Sequence, residues 1–282
     1  MTTSSSTLSP TLFDEALAPW FCRGEVFLLY GYTMQSKSSY PPQSAFSNLE
    51  GASSYADPCV TGEFKGGLSS IAIIRYTDTP IGPYDELIWI PGKFTSPPND
   101  NPSHRIGRMY VSSRDAVYNG RRNWNFPRQL AHFSFTPNPD ETGTLTYTKV
   151  SVAPISNPDQ PFFVADFTTT WITRPILSLN TLHSSRPMWF TTPPLPQSIN
   201  WYEDGRIGTT RWCRVRPIIK GKMGLIRCKG GLEDGKFGDD LGFPDVHPFS
   251  LGMWLPDAEV AWRIGMRLVK KVGTKFVQKV GE

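Results

Sequence analysis

Nearly continuous runs of apolar residues, separated by turn residues, mark the first third of the chain. Residues 24–32 (GEVFLLYGY) contain few polar side chains, which is typical of a strand buried on both faces. Residues 68–76 and 84–94 have the same character and flank the turn sequence TDTPIGP. This arrangement predicts a hairpin of two central strands.

Alternating or apolar segments continue through the second half of the chain. They are AHFSFTP, TLTYTKVSVAP, PFFVADFTTTWIT and PILSLNTLHSS, with turn signals such as NPDETG and SNPDQ between them. These segments predict a second antiparallel layer. Near the end, LPDAEVAWRIGMRLVKK spaces Val260, Ala261, Ile264 and Leu268 as an amphipathic helix would, with a strand as the alternative.

The composition supports a mainly β chain with enough apolar material for a core. Of 282 residues, 39% are hydrophobic and only 19% are charged, which argues against disorder, while 26 Pro and 24 Gly disfavour long helices. The length would allow two domains, but we expect one domain over residues 12–282 after a flexible Ser/Thr-rich N-terminus, residues 1–11. The polar stretch 35–59 is long for a plain connection and predicts either a functional lid or short turns.

Charge, cysteine usage and missing motifs exclude several kinds of partner. The net charge of +4 comes from 29 basic and 25 acidic residues scattered along the chain, so no basic face for nucleic acid is predicted. The four cysteines form no C-x-x-C pair, and dinucleotide, P-loop and H-E-x-x-H signatures are missing. The chain shows no basic leader and no run of 18 apolar residues. We therefore expect a cytoplasmic protein that uses no metal or cofactor and contacts no membrane.

Residues 105–131 (RIGRMYVSSRDAVYNGRRNWNFPRQLA) predict a strand, a short helix and a turn in close succession. Residues 109–111 form the strand. Either Ser112 or Ser113 is a suitable N-cap, because a serine oxygen satisfies the free N–H groups of the first helical turn. Gly120 is expected to end the helix, since glycine is common immediately after the last helical residue.

The turn after this helix fixes the direction of one cationic side chain. Pro127 holds the residue before it in an extended conformation, so Arg128 leaves the turn in a defined direction. A cation held by such a frame is a candidate site residue. The alternative is that Arg128 pairs with a surface carboxylate, since most arginines are exposed.

Glu86 is the second candidate for chemistry. It lies in an apolar strand, where the period of two places Tyr84, Glu86 and Ile88 on one face. If that face is inward, burial raises the carboxyl pKa and a nearby arginine lowers it, and either outcome makes an adjustable acid or base. The alternative is a solvated glutamate on an edge strand.

Three motifs together resemble the acetoacetate decarboxylase superfamily. They are GPYDEL, RMYVSSRDAVYNGRR and NWNFPRQLA, which follow one another in the family's order within residues 68–135. The resemblance implies a cone-shaped, closed antiparallel β-barrel with a few short helices and a cavity that contains little solvent. It also implies a homo-oligomer.

The resemblance points to particular positions and to one absent nucleophile. In the decarboxylases the first of two adjacent lysines forms a Schiff base and the second lowers its pKa, and these positions are Arg128 and Gln129 here. Arginine stays protonated and cannot form an imine, so Schiff-base decarboxylation at this position is excluded. Glu86 matches a family glutamate, another family glutamate falls at or near Ile71, and Arg23 is the counterpart of a cavity arginine.

These residues suggest non-covalent chemistry in the barrel cavity. The expected catalytic residues are Arg128 as electrophilic anchor, Glu86 as acid and base, and Gln129. Together with Arg23, the residues expected to line the substrate cavity are Tyr84, Met109, Tyr110, Trp124 and Phe126. We expect a lyase, isomerase, dehydratase, cyclase or pericyclase of secondary metabolism that acts on an apolar polyketide- or terpenoid-like carbonyl or carboxyl compound. The alternative is a binding protein or degenerate family member in which Arg128 and Glu86 form a structural ion pair.

Overall fold

Every described strand belongs to one large sheet of 17 strands in a computed structural model of the protein. The structure describes residues 12–35, 41–42, 44–97, 102–139, 145–183, 188–263, 266–271 and 274–278, the last two ranges by backbone alone. The predicted flexible N-terminus, residues 1–11, lies outside these ranges.

Most elements are short, and the longest strands lie in the centre of the sheet and near the C-terminus. The strands are β1 (Trp20–Thr33), β2 (Phe64–Asp78), β3 (Tyr84–Ile90), β4 (Gly92–Phe94), β5 (Ser103–Arg105), β6 (Arg108–Val111), β7 (Arg128–Leu130), β8 (His132–Pro137), β9 (Tyr147–Ala153), β10 (Phe163–Thr169), β11 (Leu177–Asn180), β12 (Phe190–Thr192), β13 (Trp212–Val215), β14 (Pro217–Gly230), β15 (Leu251–Trp262), β16 (Met266–Lys271) and β17 (Thr274–Gln278). The helices are α1 (Asn48–Gly51), α2 (Pro58–Thr61), α3 (Arg114–Trp124) and α4 (Trp201–Asp204), and two 3-10 turns cover Thr181–His183 and Glu233–Gly235.

Strands β1, β2 and β3 form the centre of the sheet. β1 pairs antiparallel with β2 on one side and with β15 on the other, and β2 continues into β3 as the predicted hairpin. Successive side chains of a strand point to opposite faces. Accordingly, Ile88 belongs to a buried apolar cluster on one face of β3, and Leu87 belongs to a second cluster on the other.

The later strands form the predicted antiparallel layer. β8 pairs with β9, β9 with β10, and β10 with β14, each pair antiparallel. The predicted mainly β class with a few short helices is confirmed. The otherwise antiparallel sheet includes two parallel pairs that the sequence analysis did not predict, β5 with β12 and β6 with β7.

The expected amphipathic helix near the C-terminus is wrong, and the alternative of a strand is confirmed for the part that the structure describes, which does not include Ile264. Residues 251–262 form β15, which pairs with β1 along one edge and with β14 along the other. Its inward residues follow a period of two at Ala258, Val260 and Trp262. Two long partner strands supply hydrogen bonds along both edges, so the tertiary setting overrides a spacing that also fits a helix.

The long polar stretch before β2 contains short helices. Within its described part lie α1 and the start of α2, where Asp57 caps α2 by accepting a hydrogen bond from the Cys59 N–H at 2.9 Å. The alternative of short turns is therefore confirmed. None of the helices in the described part of the chain has the length and hydropathy of a membrane-spanning helix.

Candidate functional site

Strand β3 carries Glu86 into the interior. Tyr84, Glu86 and Ile88 share its inward face, as the period of two predicts, and Glu86 is 0% exposed. An isolated buried carboxylate is costly, so a partner is required.

Helix α3 and the turn behind it bring that partner. The hydroxyl of Ser113 caps the helix by accepting from the Ala116 N–H, and the neighbouring Ser112 hydroxyl accepts from the Asp85 N–H at 2.8 Å. The helix ends on Asn125, which adopts a left-handed conformation with φ of 55°. The chain then reverses into β7, which runs parallel to β6 and places Arg128 beside Met109.

The expectation that Gly120 ends the helix is wrong. Gly120 lies inside α3, which continues to Trp124. A β-carbon at this position would overlap the Arg128 side chain, at 2.6 Å from Nε and 2.7 Å from Nη1. Glycine is therefore needed here because the Arg128 side chain packs directly against the helix backbone. The helix ends at Asn125 instead.

Arg128 and Glu86 form an ion pair in the interior. Arg128 Nη2 lies 2.5 Å from Glu86 Oε2, and both side chains are 0% exposed. Arg128 also donates to the Tyr84 hydroxyl at 3.2 Å and to the Ala116 carbonyl at 2.9 Å, while the Tyr76 hydroxyl donates to Glu86 Oε1 at 3.3 Å. Within the described part of the chain, Arg128 Nε has no hydrogen-bond partner.

Burial controls the protonation of this group. It raises the pKa of Glu86, and Arg128 and the hydrogen bond from Tyr76 offset only part of that effect. Burial works against the charge on Arg128, but Glu86, Tyr84 and Tyr76 together outweigh burial and the pKa of Arg128 is raised. Burial also raises the pKa of the nearby Cys22 thiol to about 12, so this cysteine is neutral and a poor nucleophile.

Aromatic side chains enclose the ion pair. Trp124 packs edge-on against Trp20 at 5.2 Å, and Phe126 packs edge-on against Trp262 at 5.1 Å. Trp262 Nε1 donates to the Tyr76 hydroxyl at 3.2 Å. The apolar cluster that contains these rings includes the predicted site residues Tyr84, Met109, Trp124 and Phe126.

Two predicted site residues lie on the opposite face of the same strands. Tyr110 is beside Gln129 in the β6–β7 pair, one position beyond Met109 and Arg128, so both point away from the ion pair. They line an open groove instead. The structure therefore separates Gln129 from Arg128 and Glu86, the other two expected catalytic residues.

The expectation that Arg23 lines the cavity is wrong. Its side chain is 63% exposed on the outer face of β1 and forms an ion pair with Asp257. The adjacent residue Cys22 is the one that points inward at this position. Since neighbours in a strand alternate between faces, a shift of one residue is enough to reverse the expectation.

A second buried ion pair lies next to the first and was not predicted. Arg121 Nη1 is 2.8 Å from Glu50 Oε1, with side chains 0% and 1% exposed. Arg121 also donates to the carbonyls of Ile207 at 2.8 Å and Pro196 at 2.6 Å, and to the Arg128 carbonyl at 3.4 Å. These hydrogen bonds hold the segments that contain Pro196 and Ile207 against α3. Glu50 is too distant in the sequence for spacing to reveal this pair.

Tyr76 is another site residue that the sequence reasoning missed. The hairpin register places it directly opposite Tyr84. Once Tyr84 is assigned to the inward face, its cross-strand partner must share that face. The signal was therefore present in the predicted hairpin.

The site consists of a carboxyl group, a permanent cation and two tyrosine hydroxyls in an apolar enclosure. Such a group can hold a proton on Glu86 and stabilise negative charge on oxygen through Arg128. Within the described ranges, no cluster of three or more His, Cys, Asp or Glu side chains is arranged to hold a metal ion.

Comparison with known proteins identifies the fold. The sequence matches no known family profile and no curated protein. Several solved structures are similar to it, and three of them cover 94% of this chain. They are acetoacetate decarboxylase from Legionella pneumophila (13% identity, 93% of that chain, TM-score 0.51), a second acetoacetate decarboxylase structure (13%, 94%, 0.52), and the enduracididine biosynthesis enzyme MppR complexed with the condensation product of pyruvate and imidazole 4-carboxaldehyde (15%, 96%, 0.52). The chain thus has an acetoacetate decarboxylase-like fold, as its motifs predicted.

Proposed function

We propose that this protein is a biosynthetic enzyme that performs non-covalent proton transfer on a small carbonyl or carboxyl compound. Glu86 is the acid and base, and Arg128 stabilises the oxygen that gains charge. The ion pair of these two residues inside an aromatic enclosure carries the proposal. A relative in fold, MppR, is described as a biosynthesis enzyme and was solved with a pyruvate-derived product, which supports a substrate of this chemical class.

The proposed reaction starts with the transfer of a proton and requires no cofactor. The Glu86 carboxylate accepts a proton from the carbon next to a carbonyl group, and the electron pair moves onto the carbonyl oxygen. Arg128 and the Tyr84 hydroxyl donate hydrogen bonds to that oxygen. Return of the proton to another carbon isomerises the substrate, and departure of a leaving group from the β-carbon gives elimination. An apolar polyketide- or terpenoid-like substrate suits the surrounding aromatic side chains.

Imine formation at position 128 is not part of this proposal. A guanidinium stays protonated at any working pH and lacks the free electron pair that attacks a carbonyl. The surroundings of Arg128 reinforce this, since Glu86 and the hydroxyls of Tyr84 and Tyr76 raise the pKa of Arg128 although burial acts in the opposite direction. The reaction therefore proceeds through hydrogen bonds and proton transfer.

Substrate entry requires a rearrangement. Arg128 and Glu86 are both 0% exposed, and Arg128 already donates to Glu86, Tyr84 and Ala116. A substrate must displace an aromatic side chain and replace at least one of these hydrogen bonds. Arg128 Nε has no hydrogen-bond partner among the described residues. A hydrogen bond from this atom to the substrate would be especially favourable, because an unpaired buried donor is costly.

The same burial favours a second candidate function, a non-catalytic member of the fold. In that case the Arg128–Glu86 pair specifies the arrangement of the interior and no reaction takes place, as buried ion pairs can be retained for reasons other than catalysis. Ligand binding, if any, would then occur elsewhere on the chain.

Proton exchange separates the two candidates. Pyruvate is incubated with the protein in D2O, and loss of the methyl signal is followed by proton NMR. We expect exchange above the buffer rate for the wild-type protein, its loss in Glu86→Gln, and full retention in Glu259→Gln, which changes an exposed glutamate of β15. Exchange that survives Glu86→Gln, or that never exceeds the buffer rate, contradicts the catalytic proposal.

Borohydride reduction tests the non-covalent part. Pyruvate and borohydride added together should leave the protein mass unchanged, because no imine forms. A mass increase on a lysine such as Lys65 or Lys93 would show that the reaction uses a Schiff base at another position.

A further inference from the structure

An open groove lies on the far side of the strands that carry the ion pair. Its volume is about 780 Å³, and its walls come from α1, the outer face of β6 and β7, the connection after β9 and the segment before β15. The lining has apolar members, including Leu130, Ile155, Phe162 and Leu241, and a floor that contains Arg108, Tyr110 and Gln129. The groove is separate from the enclosure around Glu86, because neighbouring residues of β6 and β7 point to opposite faces.

The floor of the groove carries a positive charge without an acidic partner. Arg108 is 4% exposed, and its hydrogen bonds go to the carbonyls of Ser44 and Gly242 and to the Tyr110 hydroxyl, all of which are neutral acceptors. Arg108 Nη2 takes part in none of these bonds. In the described part of the chain, no carboxylate lies within ion-pair distance of Arg108, and none lines the groove.

Gln129 adds an unsatisfied amide beside this cation. Its Nε2 is buried and has no hydrogen-bond partner among the described residues. Gln129 is directly opposite Tyr110, so it is the diagonal neighbour of Arg108 on the same face. Rotation of the amide about its terminal bond presents Nε2 to the groove, where an acceptor oxygen would satisfy it.

We propose that this groove binds a small organic acid with an apolar body. The carboxylate accepts from Arg108 and Gln129 on the floor, and the hydrocarbon part packs between Leu130, Ile155 and Phe162. A carboxylate supplies the negative charge and the acceptor oxygens that the floor lacks, and the apolar walls favour a hydrocarbon chain over a bare ion. Arg206 at the rim contributes less, since Asp204 already pairs with it at 2.8 Å.

Titration with two matched probes tests the proposal. Octanoate and octanamide have the same chain and differ in the charge of the head group. Isothermal titration calorimetry should show saturable binding of octanoate to the wild-type protein, and binding of octanamide should be at least about tenfold weaker because it lacks the charge-assisted bonds. Absence of saturable octanoate binding, or equal affinity for both probes, overturns the proposal.

A charge introduced at the floor locates the binding site. Gln129→Glu places a carboxylate next to Arg108, where it occupies the donors that the ligand would use, so octanoate affinity should fall at least about tenfold. Gln35→Glu adds the same charge at an exposed position that does not line the groove, and it should leave the affinity unchanged. Unchanged affinity in Gln129→Glu, with the fold confirmed by circular dichroism, shows that the acid binds elsewhere and overturns the assignment.

Discussion

Gly120 lies so close to Arg128 that a β-carbon at position 120 would come within 2.7 Å of both Nε and Nη1 of the guanidinium. The backbone of α3 is therefore part of the wall that holds the cation against Glu86. Its position in the middle of a helix is otherwise unfavourable for glycine, by about 1 kcal/mol relative to alanine. The packing around Arg128 explains why glycine is present despite this cost.

The first prediction concerns this contact. Gly120→Ala should destabilise the protein by about 1–3 kcal/mol, because overpacking of Arg128 outweighs the gain in helix propensity. Gly51→Ala in α1 is the matched control, since its β-carbon would meet only Phe46 Cβ at 3.9 Å, and it should be neutral or slightly stabilising. Urea unfolding of both variants measures the difference. Equal stability of the two would contradict the proposed role of Gly120.

The positions of Gly120 and Arg23 show where sequence reasoning reached its limit. Alternation along β3 correctly placed Tyr84, Glu86 and Ile88 on one face, because a period of two is a local property of a strand, but it left open whether that face is buried. Whether a glycine ends a helix or makes room for a side chain depends on packing partners from other elements. The register of β1, which turns Arg23 outward, likewise depends on its pairing with β2 and β15.

The separation of Gln129 from Arg128 has a similar origin. Consecutive residues always point to opposite faces when they lie in a strand, but the sequence predicted a turn at these positions, and a turn leaves their directions open. The parallel pairing of β7 with β6 decides the matter. The sequence predicts the helix that connects these two strands, but only the three-dimensional structure reveals that the segment after it pairs with β6. Glu50 and Arg121 were out of reach for the same reason, since they are joined by tertiary packing alone.

The second prediction concerns His104, whose ring is partly buried near Phe190. Burial lowers the pKa of His104 to about 4, and its Nε2 has no hydrogen-bond partner in the described ranges. The unfolded chain protonates its histidines near pH 6.5. A neutral His104 therefore contributes stability above pH 6.5, and this contribution is lost as the pH falls towards 4.

Replacement of His104 isolates that effect. Between pH 6.5 and pH 4, the unfolding free energy of His104→Gln should fall by about 2 kcal/mol less than that of the wild-type protein. The control is His247→Gln, because the His247 side chain is 82% exposed and its removal should leave the decline unchanged. Parallel pH profiles for wild type and His104→Gln would show that the folded protein accepts the charge on His104.

The third prediction concerns the Arg121–Glu50 pair. Arg121→Met leaves Glu50 as an unpaired buried carboxylate and releases the carbonyls of Pro196 and Ile207, so it should cost about 3–5 kcal/mol. Hydrogen exchange should also become faster in α1, which these contacts fasten to α3. As a control, loss of the exposed Arg23–Asp257 pair in Arg23→Ala should give no measurable change in stability. A loss of stability without faster exchange in α1 would argue against the fastening role.

The last prediction uses pH to determine which force dominates at the central ion pair. Burial and Arg128 act in opposite directions on Glu86, and the structure indicates that burial prevails and raises its pKa. Below the pKa of an ordinary glutamate, Glu86 is protonated in both the folded and unfolded chain, and its contribution to stability is fully present. As the pH rises through the folded pKa, that contribution is lost, because the unfolded chain ionises more easily.

Glu86→Gln has no such titration. The unfolding free energy of wild type minus that of Glu86→Gln should therefore decrease as the pH rises above about 4.5 and then level off beyond the folded pKa. Glu259→Gln corrects for the loss of one carboxylate from the net charge. A difference that increases with pH would mean that Arg128 outweighs burial and holds Glu86 ionised. Glu86 would then be poorly suited to return a proton, and the structural ion pair would become the better account of this site.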